Sequence, residues 1–223
     1  MSNKVLVVAA HPDDEVLGCG GTISRHVGFG DQVHVITMTD GVSSRLGATD
    51  EQIQKRKNSM ENSLNILGCS SSQNLGFDDN QLDSTLLLRI VRKIERVFSE
   101  LKPDVVYTHH HNDLNVDHRL THDAVMTASR PMPGCSIKEL YGFEILSSTE
   151  WATPGLGPFI PNLYVDITKF LSKKLEAIKA YSQEMRPSPH SRSIEHVEIL
   201  ARHRGLTVGV EAAEAFAIYR ILR

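Results

Sequence analysis

Residues 4–15, KVLVVAAHPDDE, decide the fold: an apolar, largely β-branched run breaks directly into a histidine, a proline and three carboxylates. The run 4–9 reads as a buried strand. Pro12 removes a backbone donor and biases His11 away from helical geometry, so the chain turns sharply there. Asp13, Asp14 and Glu15 then crowd the start of the next helix, where acidic residues suit the helix dipole. A second run, VHVITMT at 33–39, follows after a segment long enough for a crossover helix. That is a βαβ opening.

The alternation continues outward. Residues 50–67 read as a polar helix with Ile53, Met60, Leu64 and Leu67 near one face, closed by Gly68; residues 74–77 are a short strand or a loop. In 84–101, Leu87, Leu88, Val91, Ile94, Val97 and Phe98 recur at helical spacing until Lys102 and Pro103 stop them. A third strand is expected at 104–109, a helix at 117–129, strands at 139–146 and 163–167, and helices at 169–185 and 193–204 with a break at 186–189. This pattern predicts an α/β fold, a Rossmann-like three-layer sandwich with a mostly parallel sheet and helices on both faces. Residues 148–161, rich in Pro and Gly and carrying Trp151, read as a loop, either a substrate lid or a connection with Trp151 tucked into a groove.

With 223 residues, 40% hydrophobic and 23% charged, the chain has the composition of an ordinary globular protein, and one domain over 1–223 is expected. A net charge of -3 supplies no positive field for a nucleic-acid partner. The first apolar run is too short for a signal peptide, and no stretch approaches the roughly 20 apolar residues of a membrane span, so a cytoplasmic location is expected. Cys19, Cys69 and Cys135 are odd in number and widely spaced, which predicts reduced thiols packed as small apolar residues.

The chemistry is expected at strand ends, because ligands of open parallel sheets bind outside the carboxyl ends of the strands. His11 with Asp13, Asp14 and Glu15 stands at the end of the first strand. Acids alone would be helix caps, but carboxylates crowded beside an imidazole repel one another unless a cation relieves them, and imidazole with carboxylate suits zinc. A second cluster, HHHNDLNVDHR at 109–119, follows the third strand. Three ligands with an open fourth position make a catalytic zinc site, and adjacent Asp13 and Asp14 can divide metal binding and proton transfer between them. Gly18-Cys19-Gly20-Gly21 is similar to a dinucleotide fingerprint but falls inside the first helix, so close helix–sheet packing is the expected role.

His11-Pro12-Asp13-Asp14-Glu15, followed by Gly20-Gly21, and the later Asp113-x-Asn115-x-Asp117-His118-Arg119 resemble the PIG-L/LmbE-like zinc deacetylases, which remove acyl groups from N-acetylated amino sugars. The resemblance takes in Arg56 and Glu61, the stretch 193–196 and the tail 209–216, nearly the whole chain. It implies Zn2+ held by His11, Asp14 and His118, Asp13 as general base, and a small N-acetylated sugar or conjugate as partner. Many members carry an oxyanion-stabilising His three residues before the ligand His, where this chain has Asn115. Asn115, one of His109, His110 or His111, or the metal alone are the alternatives for that role. Asp117 is expected to orient an imidazole, bind a substrate hydroxyl or cap a helix. Arg45, Arg56 and Arg192 are either substrate-binding or solvated, with Arg56 the first choice. Rival activities are hydrolysis of another N-acyl or N-formyl amide, or zinc binding with weakened turnover. A homo-oligomer is left open.

Overall fold

The first apolar run becomes a central strand, β1 (Lys4–Ala9), because both of its faces are apolar: Val5 and Val7 pack into one helical layer, Leu6 and Val8 into the other, all without solvent exposure. A strand buried on both sides requires helices above and below. The computed structural model, which describes residues 2–155 and 157–223, places them in this order after β1: α1 (Asp14–Gly28), β2 (Gln32–Thr37), α2 (Asp50–Leu67), β3 (Ser71–Asn74), α3 (Leu87–Leu101), β4 (Val105–His109), α4 (Val116–Ala128), β5 (Glu139–Phe143), β6 (Leu163–Asp166), α5 (Leu171–Lys179), α6 (Ile194–Thr207) and β7 (Ala213–Ile221).

The seven strands lie in the order β3-β2-β1-β4-β5-β7-β6. The first five are parallel, and β7 runs antiparallel to both of its neighbours. Helices α1, α2, α5 and α6 contribute to the core on one face, α3 and α4 to the core on the other. The expected α/β sandwich is therefore present. The chain leaves β1 toward β2 on one side and meets β4 on the other, so a crevice opens between the carboxyl ends of β1 and β4. Among the described residues no helix is long and apolar enough to cross a membrane.

Helix α1 lies close against the sheet because of its glycines. A Cβ on Gly18 would stand 2.5 Å from the Phe143 ring, and one on Gly21 2.7 Å from Ile167, which gives these glycines the packing role expected of them. The helix is broken at Cys19 (φ -147°, ψ 25°), which leaves backbone groups on either side of the break without helical partners. A buried ion pair satisfies them. Glu214 accepts the N–H groups of Gly21 and Thr22 at 2.9 and 2.6 Å, and Lys174 donates to Leu17 O at 2.8 Å and to Glu214 at 2.6 Å.

Several expectations need correction. No element was expected over β7, and β3 lies at 71–74 rather than 74–77. Helix α5 is shorter than 169–185, because turns after Lys179 carry Tyr181 inward, where its hydroxyl donates to Glu15 at 2.7 Å. The stretch 148–161 is not all loop: Thr149–Trp151 form a 3-10 turn, and Trp151 is 49% exposed rather than tucked away. Leu156, within that stretch, lies outside the described residues. All three cysteines are unpaired, but only Cys19 is fully packed, and Cys135 is exposed.

Candidate metal centre

The turn after β1 is held in a conformation that side chains seldom adopt. Asp13 has φ 113°, in the region that favours glycine. Two local bonds over-determine it: the Asp13 N–H donates to Glu15 Oε2 at 2.9 Å, and the His11 N–H donates to Asp14 Oδ2 at 2.8 Å. The result points His11, Asp13 and Asp14 into one cleft, which the start of α4 closes from the other side with His118.

His11 Nδ1, His118 Nε2 and Asp14 Oδ2 form a nearly equilateral triangle with sides of 3.2, 3.2 and 3.3 Å. A tetrahedral ion with bonds of about 2.0–2.1 Å separates its ligands by about 3.3–3.4 Å. The donor set and its spacing fit a metal. His11, Asp79 and Asp117 also bring three donor atoms together, but Asp79 and Asp117 do not line the cleft, whereas all three members of the first triangle do.

The far nitrogen of each imidazole is held by carboxylate. Asp113 Oδ1 lies 3.1 Å from His118 Nδ1, and Asp117 Oδ2 and Asp79 Oδ1 lie 3.3 and 3.6 Å from His11 Nε2. Such partners fix the tautomer and the ring direction of a ligating histidine. Asp117 is in turn fixed by the Asn80 and Leu82 N–H groups at 2.9 and 3.1 Å.

This arrangement carries surplus negative charge. Burial works to lower the pKa of His11, but its bonds to Asp117 and Asp14 and the charges of Asp14 and Asp79 push it up to about 10. Burial likewise opposes protonation of His118, yet Asp14 and Asp113 push it up to about 9. Burial works upward on Asp14, but His118 and His11 hold its carboxyl well below the usual range. Among the described residues no lysine or arginine pairs with Asp14, Asp79, Asp113 or Asp117. A divalent cation at the triangle answers the same demand as the protons the imidazoles attract.

The cleft has a volume of about 280 Å³ and is lined mainly by polar groups. Asp13 Oδ2 accepts from Arg56 Nη2 at 3.2 Å and from Arg192 Nη1 at 3.1 Å. Burial raises the Asp13 pKa while the two arginines work against it. Arg56 also meets Glu184 at 3.0 Å, so neither it nor Arg192 is a solvated charge; Arg45, half-exposed, pairs with Glu184 at 2.8 Å. Asn115 borders the cleft and caps α4, accepting the Asp117 N–H at 2.8 Å and donating to Asn80 Oδ1 at 3.2 Å. Asp117 therefore lies against His11 instead of capping the helix.

The histidine run divides. His109 Nε2 accepts the Ala10 N–H at 2.8 Å, and its ring stacks on His118 with centroids 4.0 Å apart. Burial and the neighbouring His118 keep it well below the usual imidazole pKa, hence neutral. His110 bonds to Gly157 O at 3.1 Å, and neither it nor His111 lines the cleft. Asp79 had no signal in the sequence: it lies on a loop, and only the fold brings it to Thr39, Ser44 and His11. Asp113 stood in the quoted motif without a role, and Arg192, one of three arginines expected to be substrate-binding or solvated, bonds to Asp13.

A family model described as PIG-L: GlcNAc-PI de-N-acetylase matches residues 6–129, a span that holds every member of the triangle and Asp13. The uncharacterized deacetylase YaiS of Escherichia coli (strain K12) is 30% identical over 182 residues, covering 79% of this chain and 89% of its own. A probable N-acetyl-alpha-D-glucosaminyl L-malate deacetylase 2 of Bacillus anthracis is 27% identical over 187 residues, 81% of this chain and 80% of the relative. Among solved structures, the conserved protein TT1542 from Thermus thermophilus superposes with a TM-score of 0.79 at 26% identity, covering 96% of this chain and 94% of that one.

Proposed function

The chain belongs to the PIG-L family of de-N-acetylases, and we propose from that premise that it hydrolyses the acetamide of an N-acetylated amino sugar or sugar conjugate in a zinc-dependent reaction. The observation that supports it most is the metal-sized triangle of His11, His118 and Asp14 on the open wall of a polar cleft, with Asp13 beside it. Imidazole and carboxylate donors suit zinc. Held by His11, Asp14 and His118, the metal supplies a Lewis acid for the amide carbonyl and for water.

The chain's own residues do the rest. Both arginines bind Asp13 Oδ2, which leaves Oδ1 for the proton of the attacking water. Asp13 returns that proton to the departing amine nitrogen. Asn115 donates one amide N–H to Asn80, and its second N–H is a neutral donor for the developing oxyanion. Asp113 and Asp117 hold the imidazoles in their ligating tautomers, and Arg56 both steers Asp13 and borders the sugar. The three unpaired cysteines fit work in a reducing cytoplasm.

The test is an amine-release assay of zinc-loaded protein over N-acetylated amino sugars and their glycosides, with N-formyl and non-sugar acetamides alongside. Release from an N-acetylated amino sugar is expected to exceed release from the other amides; preference for a non-sugar amide would overturn the reading.

A further inference from the structure

Asn80 stands on the loop between β3 and α3, outside the two histidine–aspartate motifs, and lines the cleft beside Asn115. Its backbone is left-handed, with φ 50°, a conformation that asparagine tolerates better than most residues. Three hydrogen bonds hold it there. The Asn80 N–H donates to Asp117 Oδ2 at 2.9 Å, its side-chain NH2 donates to Ser44 Oγ at 3.1 Å, and its Oδ1 accepts from Asn115 Nδ2 at 3.2 Å.

The neighbours dictate which way each amide faces. Ser44 has one hydroxyl proton and gives it to Asp79 Oδ2 at 2.6 Å, so its oxygen can only accept from Asn80. That turns the Asn80 carbonyl toward Asn115. The Asp117 N–H takes the Asn115 carbonyl oxygen at 2.8 Å, which turns the Asn115 NH2 toward Asn80. Neither amide can flip without setting donor against donor. Because the two N–H bonds of a primary amide share one rigid plane, the bond to Asn80 also fixes the second N–H of Asn115, the one left for substrate.

The same residue reaches the metal side. Asp117, held by the Asn80 N–H, lies 3.3 Å from His11 Nε2, and His11 Nδ1 belongs to the triangle. Of the side chains considered as oxyanion donors, His109, His110 and His111 do not line the cleft and Asn115 does. A carbonyl oxygen gaining charge is stabilised best by donors already fixed where that charge develops. We propose that Asn80 is a positioning residue for the oxyanion donor: its side-chain carbonyl orients the Asn115 amide, while its backbone, through Asp117, keeps that amide in register with the His11 corner of the triangle. The role rests on the amide-hydrolase reading of the cleft and deepens it, since a hydrogen-bonded pair of neutral amides then completes the site.

Asn80→Gly separates the two parts of the role, because glycine keeps the left-handed backbone and the N–H to Asp117 while the side-chain carbonyl is lost. In zinc-loaded protein it should lower kcat for amine release about tenfold, with KM within about twofold and zinc affinity unchanged. Asn80→Asp, which keeps a side-chain oxygen for Asn115, should recover most of that loss. Asn115→Ser keeps a helix cap without an amide and should lower kcat about 100-fold; in that background Asn80→Gly should cost less than about twofold more. An equal cost of Asn80→Gly in both backgrounds, or a cost taken through KM or zinc affinity, would overturn the proposal. The orientation is read without turnover from the Asn115 side-chain NH2 signals in the NMR spectrum of isotope-labelled protein, identified by their loss in Asn115→Ser. Asn80→Gly should move one of the two proton signals upfield, and Asn80→Asp should not. Signals unmoved by Asn80→Gly defeat the proposal even where amine release is normal. Moved signals in a protein that releases no amine defeat the deacetylase reading instead and leave the orientation of Asn115 by Asn80 standing.

Discussion

Two buried charge clusters lie along α1, and they differ in how their charges are balanced. At the break near Cys19, Glu214 and Lys174 neutralise one another and each completes a half-helix terminus, so that every ionised oxygen and nitrogen has a partner inside the protein. At the start of the helix, Asp14 joins Asp79, Asp113 and Asp117 around two imidazoles with no lysine or arginine among the described residues pairing with them, and the cluster opens onto a cleft. The first cluster is closed and serves the fold. The second is a charge imbalance that the fold maintains against its own stability, which is the physical mark of a site that takes its missing charge from outside.

The contrast can be broken by substitutions at either end. Asp13→Ala should retain the metal yet lose about two to four orders of magnitude in amine release, the usual scale for removing a general acid/base; normal turnover with full metal content would remove Asp13 from the mechanism. Glu214→Ala leaves Lys174 buried without its partner and should lower unfolding free energy by about 3–5 kcal/mol in urea titrations. Metal content of the folded fraction should not change, and parallel loss of metal would show that the two clusters are not separate.

Finer substitutions sharpen the same contrast. Asp117→Asn should weaken metal affinity about 10–100-fold, measured by competition with a chelator, because His11 loses the charge that holds its far nitrogen. Gly21→Ala, at the closed cluster, forces a methyl against Ile167 and should cost about 1–3 kcal/mol of stability, seen as an earlier thermal transition without a shift in metal affinity.

What could be read from the chain follows how local each signal is. β1 and the turn after it were legible because an apolar run, a proline and three acids stand side by side, so the strand end and its chemistry share one short stretch. β7 was not, because in AEAFAIYRI small alanines weaken the apolar alternation and Glu214 looks like a surface charge until the break in α1 gives it partners. β3 escaped for a related reason: its four side chains are polar and exposed, and only backbone pairing with β2 makes it a strand. Asp79 reaches His11, and Arg192, already among the candidate arginines, reaches Asp13, from loops whose partners arise only from long-range closure.

The most direct test of the open cluster is a zinc titration of protein stripped by a chelator, following amine release from an N-acetylated amino sugar as zinc is added. Activity absent in the stripped protein, rising in proportion to added zinc and levelling at one ion per chain, is the predicted result. Full turnover in metal-free protein would contradict it.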